Sequence, residues 1–161
     1  MDDYMNPADQ EFLARAITLA KENVASGGGP FGAVLVMDGK VIAGLANQVV
    51  CNHDPTAHAE IQTIRLASDV LKTFDLTGAV LYSSCEPCPM CLGAIYWSRV
   101  SRVVYASNRN DAADAGFRDA MLYREISLEP GDRSISFEQI DVPEMGQEFT
   151  EWKRSSLKMK Y

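Results

Sequence analysis

His58-x-Glu60, joined about 28 residues on by Pro87-Cys88-x-x-Cys91, constrains the fold more than any other feature of this chain. One imidazole and two thiolates can hold Zn²⁺ with the fourth tetrahedral position open, the mark of a catalytic rather than a structural site. The two segments must therefore meet in space. His58 and Cys88 each fall near the start of an expected helix, where partial positive charge and free N–H groups stabilise a thiolate. Cys88 and Cys91, three apart, share a helix face. Residues two apart do not, so Glu60 can join His58 only if the first turn presents both. Cys85 offers a rival: Cys85-x-x-Cys88-x-x-Cys91 with His58 would form a closed Cys₃His structural site. Cys51 reads as a small apolar filler, and His53, without the x-Glu context, as a loop residue.

The open site has a clear use. Zn²⁺ lowers the pKa of bound water from about 15.7 to about 7. Glu60 is placed to accept that proton and to return it to a leaving group, as a metal-assisted hydrolysis requires.

The 161 residues suit one domain, read here as 1–161. No apolar run reaches membrane-spanning length. Met1-Asp2-Asp3-Tyr4 lacks the basic and apolar regions of a signal peptide. With Cys88 and Cys91 spaced as ligands, reduced thiols in the cytoplasm are expected. Fifteen Lys and Arg against 22 Asp and Glu give a net charge of −7, which repels phosphate backbones. Lys153, Arg154, Lys158 and Lys160 against Glu151 make the tail locally basic, a pattern read as a solvated helix face. Neither a nucleic-acid nor a membrane partner is expected.

Asn6-Pro7 is a helix start, followed by Leu13, Ala16, Ile17, Ala20 and Val24 at helical spacing. Gly27-Gly28-Gly29-Pro30 ends that helix. Strands are expected over 31–37 and 41–50 around an Asp38-Gly39 turn. Then come a helix over 57–71, a strand over 79–83, a helix over 88–97 and a strand over 102–106. Two short helical pieces over 108–124, a strand over 135–142 and a helix over 144–158 complete the chain. The pattern predicts a three-layer α/β/α domain. Its mixed sheet joins an antiparallel hairpin to parallel strand–helix–strand units, with five strands in all.

H-x-E followed by P-C-x-x-C is the signature of zinc deaminases acting on nucleobases. The chain resembles the cytidine-deaminase-like superfamily, and within it the small zinc-type guanine deaminases of bacteria. The resemblance rests on Gly28-Gly29-Pro30-Phe31-Gly32-Ala33-Val34, on Asp54-Pro55-Thr56-Ala57-His58-Ala59-Glu60, and on Ser84-Cys85-Glu86-Pro87-Cys88-Pro89-Met90-Cys91 continuing to Trp97. Asp111-Ala112-Ala113-Asp114-Ala115-Gly116-Phe117 and Lys160-Tyr161 favour guanine deaminase over its relatives. The likeness runs from about Phe12 to the last residue.

It implies hydrolysis of guanine at C2 to xanthine and ammonia, with zinc on His58, Cys88 and Cys91 and Glu60 as proton carrier. Asn47 would hydrogen-bond the base, Phe31 would pack on its face, and Ala59 and Phe117 would complete the binding site. Asp119 would meet the polar edge and act as a second proton carrier. A homodimer would exchange segments of about 144–161, Tyr161 closing the partner's site. Arg118 stands where such proteins can carry an acidic residue. The rival readings are a tRNA adenosine deaminase, a cytosine or cytidine deaminase, and a zinc-stabilised binding module, which would not need Glu60. Ammeline-like triazines share guanine's amino-amidine edge and are candidate additional substrates.

Overall fold

The computed structural model describes residues 6–161; Met1–Tyr4, read above for targeting features, lies outside the described residues. These residues form two compact units, one ending at Tyr123 and the other spanning Arg124–Tyr161.

The first unit begins with helix α1 (Pro7–Ala25), capped by Asn6, whose side chain accepts from the Ala8 N–H, with Pro7 at the first helical position. Strands β1 (Gly32–Met37) and β2 (Lys40–Ala46) form an antiparallel hairpin. Its turn residues, Asp38 and Gly39, both have positive φ, which matches the twist of paired strands. Helices α2 (Val49–Asn52) and α3 (Ala59–Leu71) follow, then β3 (Val80–Cys85), α4 (Pro89–Trp97) and β4 (Arg102–Ser107). Short helix α5 (Arg109–Asp114) carries a capping box between Asn108 and Asp111. Gly116, at φ +94°, separates it from α6 (Asp119–Ser127), whose first half belongs to this unit.

The sheet has the order β2-β1-β3-β4, antiparallel except for the β3–β4 pair. Side chains alternate across it. Val34, Val36 and Tyr82 pack with Ala16 of α1 on one face. Ala33, Leu35 and Leu81 pack with Ile64 and Ala67 of α3 and Ile95 of α4 on the other. Three layers result, as expected. The α1 layer lies close: a Cβ on Gly32 would meet the Ala16 carbonyl oxygen at 2.3 Å.

The buried stripe of α1 is rotated from the expected one. Ala16 and Ala20 are buried, but Ile17 and Val24 are exposed and Asp9 is buried. Asp9 accepts from the Tyr82 hydroxyl at 2.7 Å and takes a bidentate fork from Arg102 at 2.9 and 2.7 Å, satisfying a carboxylate that could not otherwise be buried. The strand expected to reach residue 50 stops at Ala46. Beyond it, the Asn47 side chain accepts from the Val49 N–H and the chain turns into α2. Cys51, expected as filler, is exposed.

In the second unit, a 3₁₀ turn at Pro130–Asp132 precedes α7 (Gln147–Arg154). The helix is shorter than expected because Gly146 has φ +83° and Ser155 is extended. The fifth strand expected over 135–142 is absent, so the sheet formed by the described residues has four strands, not five. Glu125 accepts both the N–H and the hydroxyl of Ser134 at 2.8 Å, and Arg133 stacks on Phe137. Ile135 and Ile140 are 71% and 72% exposed. Apolar alternation without a neighbouring strand edge makes no ladder. Among the described residues, no helix is long and apolar enough to cross a membrane.

Candidate active site

His58 is the N-cap of α3 and Cys88 the N-cap of α4. Both have extended backbones, φ −65° and ψ 153° for His58, φ −66° and ψ 168° for Cys88. This resolves the spacing difficulty. His58 is not yet helical, so helix periodicity does not govern its direction, and Glu60 in the first turn can face the same space.

His58 Nδ1 lies 3.6 Å from Sγ of Cys88 and 3.6 Å from Sγ of Cys91. A tetrahedral zinc with ordinary Zn–N and Zn–S bonds sets its nitrogen and sulfur ligands about 3.6 Å apart. The three ligand atoms all lie within 4.8 Å of one another, so the trio fits the ion. Cys85, at the end of β3, points its thiol to the Asn108 carbonyl at 3.7 Å and stands outside the trio. The residues grouped to hold an ion are His58, Cys88 and Cys91, without Cys85.

The thiols are already polarised. The neighbouring Cys91 thiol, aided by His58 and the Cys91 N–H, holds Cys88 down to about 4. The same proximity, with burial, pushes Cys91 up. The Cys88 contact raises His58 against the opposing effect of burial. Metal binding would displace these protons, since it needs thiolates and a neutral imidazole. Burial also pushes Cys85 up to about 11.

Glu60 is buried. Ser83 donates to its Oε1 at 3.1 Å and Cys91 to its Oε2 at 3.4 Å. Burial raises its pKa, partly offset by its own backbone N–H and by these two donors. A carboxyl raised this way holds a proton more readily than an exposed one, which suits a group that takes a proton and gives it back.

His58, Glu60 and Cys88 line a cavity of about 300 Å³ with Phe31, Asn47, Phe117 and Asp119. The Phe31 and Phe117 rings meet edge to face, 4.7 Å between centroids. Asn47 is buried just past β2, its backbone carbonyl bound by the Asn23 side chain at 2.8 Å. Asp119 opens α6; burial and the nearby Cys88 raise its pKa. Ala59 is buried with its side chain in the core, so it could meet a ligand only through its backbone. Arg118 is exposed, and Tyr161 lies in the second unit. Gly29, Val49, Val50, Pro55 and Glu86 also line the cavity. Of these, Glu86 alone offered a chemical signal, as the residue before Pro87-Cys88.

The chain belongs to the family of the cytidine and deoxycytidylate deaminase zinc-binding region, which matches residues 6–107. Among curated proteins it is similar to the guanine deaminase of Bacillus subtilis (strain 168), 50% identical over 153 residues, covering 94% of this chain and 98% of that one. An X-ray structure of guanine deaminase from Bacillus subtilis superposes with a TM-score of 0.93 at 49% identity, covering 98% and 99% of the two chains. Similarity to the tRNA-specific adenosine deaminase of Buchnera aphidicola subsp. Baizongia pistaciae (strain Bp) is 45% over 103 residues, 64% of each chain.

Proposed function

We propose that this chain is a zinc-dependent guanine deaminase, converting guanine and water to xanthine and ammonia. The observation that carries this reading is the 50% identity to a guanine deaminase over 94% of the chain, the second unit included, around an open His58–Cys88–Cys91 site. Those three residues would hold the metal. Zinc, when bound there, supplies a Lewis acid that makes water easier to deprotonate and favours negative charge on oxygen.

Glu60 takes a proton from the attacking water and delivers it to a ring nitrogen of guanine. The C2–O bond forms, Glu60 takes the second proton from the new hydroxyl and hands it to the exocyclic amine, and the C2–N bond breaks to release ammonia and leave the C2 carbonyl. Asn47 hydrogen-bonds the base, Phe31 packs on its face, Phe117 walls the pocket, and the Ala59 backbone faces the amine side. Asp119 meets the polar edge and serves as a second proton carrier.

The working form is a homodimer that exchanges segments of about 144–161, with Tyr161 closing the partner's pocket. Apolar exposure supports a partner. Helix α4 is apolar on every side, which suits a buried helix, yet Tyr96 and Trp97 are 77% and 66% exposed. In the second unit, Phe149, Trp152 and Leu157 are exposed as well. Deleting 156–161 should impair guanine turnover and spare zinc; normal turnover would remove the tail from the pocket. The enzyme acts in the cytoplasm, and ammeline-like triazines are further substrates.

A tRNA adenosine deaminase is the second reading, favoured by 45% identity to such a protein, though over only 64% of the chain. The net charge of −7 speaks against a polyanionic substrate. A binding module would have no use for the buried Glu60. Zinc-loaded protein should be given guanine, cytosine, cytidine, ammeline and an adenosine-bearing tRNA anticodon stem. Equal amounts of xanthine and ammonia from guanine are expected. A full equivalent of zinc without guanine turnover would overturn the reading.

A further inference from the structure

Helix α6 buries none of its residues fully, so directional contacts matter for where its first turn lies. Asp119 and Tyr123 are four apart, one above the other on the same face. The Tyr123 hydroxyl donates to the carbonyl of Pro87 at 2.9 Å, immediately before the ligand Cys88. The Arg109 guanidinium lies over the Tyr123 ring, 3.8 Å from its centroid, a cation–π contact.

Arg109 is in turn held by Glu86. Its Nε donates to both carboxylate oxygens at 3.1 Å, and its backbone N–H to Oε2 at 3.0 Å. The Glu86 N–H donates to the Ser107 carbonyl at 2.8 Å, anchoring the loop to the end of β4. One path of contacts thus runs from β4 through Arg109 and Tyr123 to the ligand loop and to the helix bearing Asp119. Arg109 and Tyr123 are not among the residues lining the cavity.

We infer that Arg109 and Tyr123 are positioning residues that hold Asp119 at a set distance from the metal ligands. The inference rests on the guanine reading, in which Asp119 meets the substrate. Arg109 has a second consequence. By occupying both oxygens of Glu86, which also lines the cavity, it leaves Asp119 as the carboxylate free to meet the base at that end. A displacement of about 1 Å at such a group can cost a hundredfold in rate.

The test is a cycle of Tyr123→Phe, which keeps the ring beneath Arg109 but loses the hydroxyl, with Asp119→Asn. Zinc content, melting temperature and guanine kinetics are measured for each. Tyr123→Phe should keep one zinc and a near wild-type melting temperature while kcat/KM falls about tenfold. In the Asp119→Asn background the same change should cost less than twofold, since the group it positions is gone. Arg109→Lys, which keeps the charge but loses the planar fork, should lose activity in the same dependent way. Two independent, multiplying losses, zinc loss with Tyr123→Phe, or unchanged kcat/KM would each overturn the inference. Wild-type protein inactive on guanine would instead overturn the guanine reading.

Discussion

The Ser83 hydroxyl reaches Oε1 of Glu60 across 3.1 Å, in a setting where both residues are buried. The contact links β3 to the first turn of α3 and leaves Oε2 toward Cys91. Ser83→Ala removes a donor to Glu60, proposed above as the proton carrier, and alters none of His58, Cys88 and Cys91. We expect zinc to stay at one equivalent while kcat falls about three- to tenfold, near the loss of one ordinary hydrogen bond. Unchanged kcat would mean that Glu60 is held in place without Ser83.

Cys85 tests which sulfurs hold the ion. Its thiol faces the Asn108 carbonyl, and it is not grouped with His58, Cys88 and Cys91. Cys85→Ser should retain a full equivalent of zinc, whereas Cys91→Ser should lose most of it. Metal analysis of the purified variants separates the open trio from a closed Cys₃His site. Zinc loss from Cys85→Ser would favour the closed site.

Asp9 predicts an acid-sensitive tie on the α1 face of the sheet. The Arg102 fork and the Tyr82 hydroxyl lower its pKa below the ordinary 3.8. Its stabilising contribution is therefore complete above 3.8 and fades as pH falls through the lower folded-state value. Asp9→Asn should destabilise the protein by about 1–3 kcal/mol at neutral pH. The melting-temperature gap between variant and wild type should shrink as pH is taken below 3.8. A gap constant across that range would contradict the assignment.

Much of the fold is legible locally. Asn6-Pro7 starts α1, Asp38-Gly39 turns the hairpin, and Gly116 splits α5 from α6, each through the backbone of a few neighbouring residues. The ligand trio is legible because Pro87-Cys88 and His58 both mark helix starts. The shared direction of His58 and Glu60 is hidden, since it depends on an N-cap backbone that periodicity does not describe. Ile17 and Val24 mislead because the long-range tie of Asp9 to Arg102 rotates α1. Residues 135–142 mislead because alternation signals a strand only where another edge accepts it. Arg109 and Tyr123 are silent in the sequence, because their contacts to Glu86 and Pro87 reach back more than 20 positions, and Glu86 signals only by its place before Pro87-Cys88.

On the proposed mechanism, the buried Glu60 carboxylate beside the metal ligands moves the protons of a hydrolytic deamination. Glu60→Gln tests it most directly, because the amide keeps the shape and the Ser83 contact but cannot accept the proton. Zinc content and guanine turnover should be measured on the same preparation. The account predicts one zinc per chain and a kcat lowered by about 10²- to 10⁴-fold, the usual worth of general acid–base catalysis. Near wild-type turnover with zinc in place would contradict it.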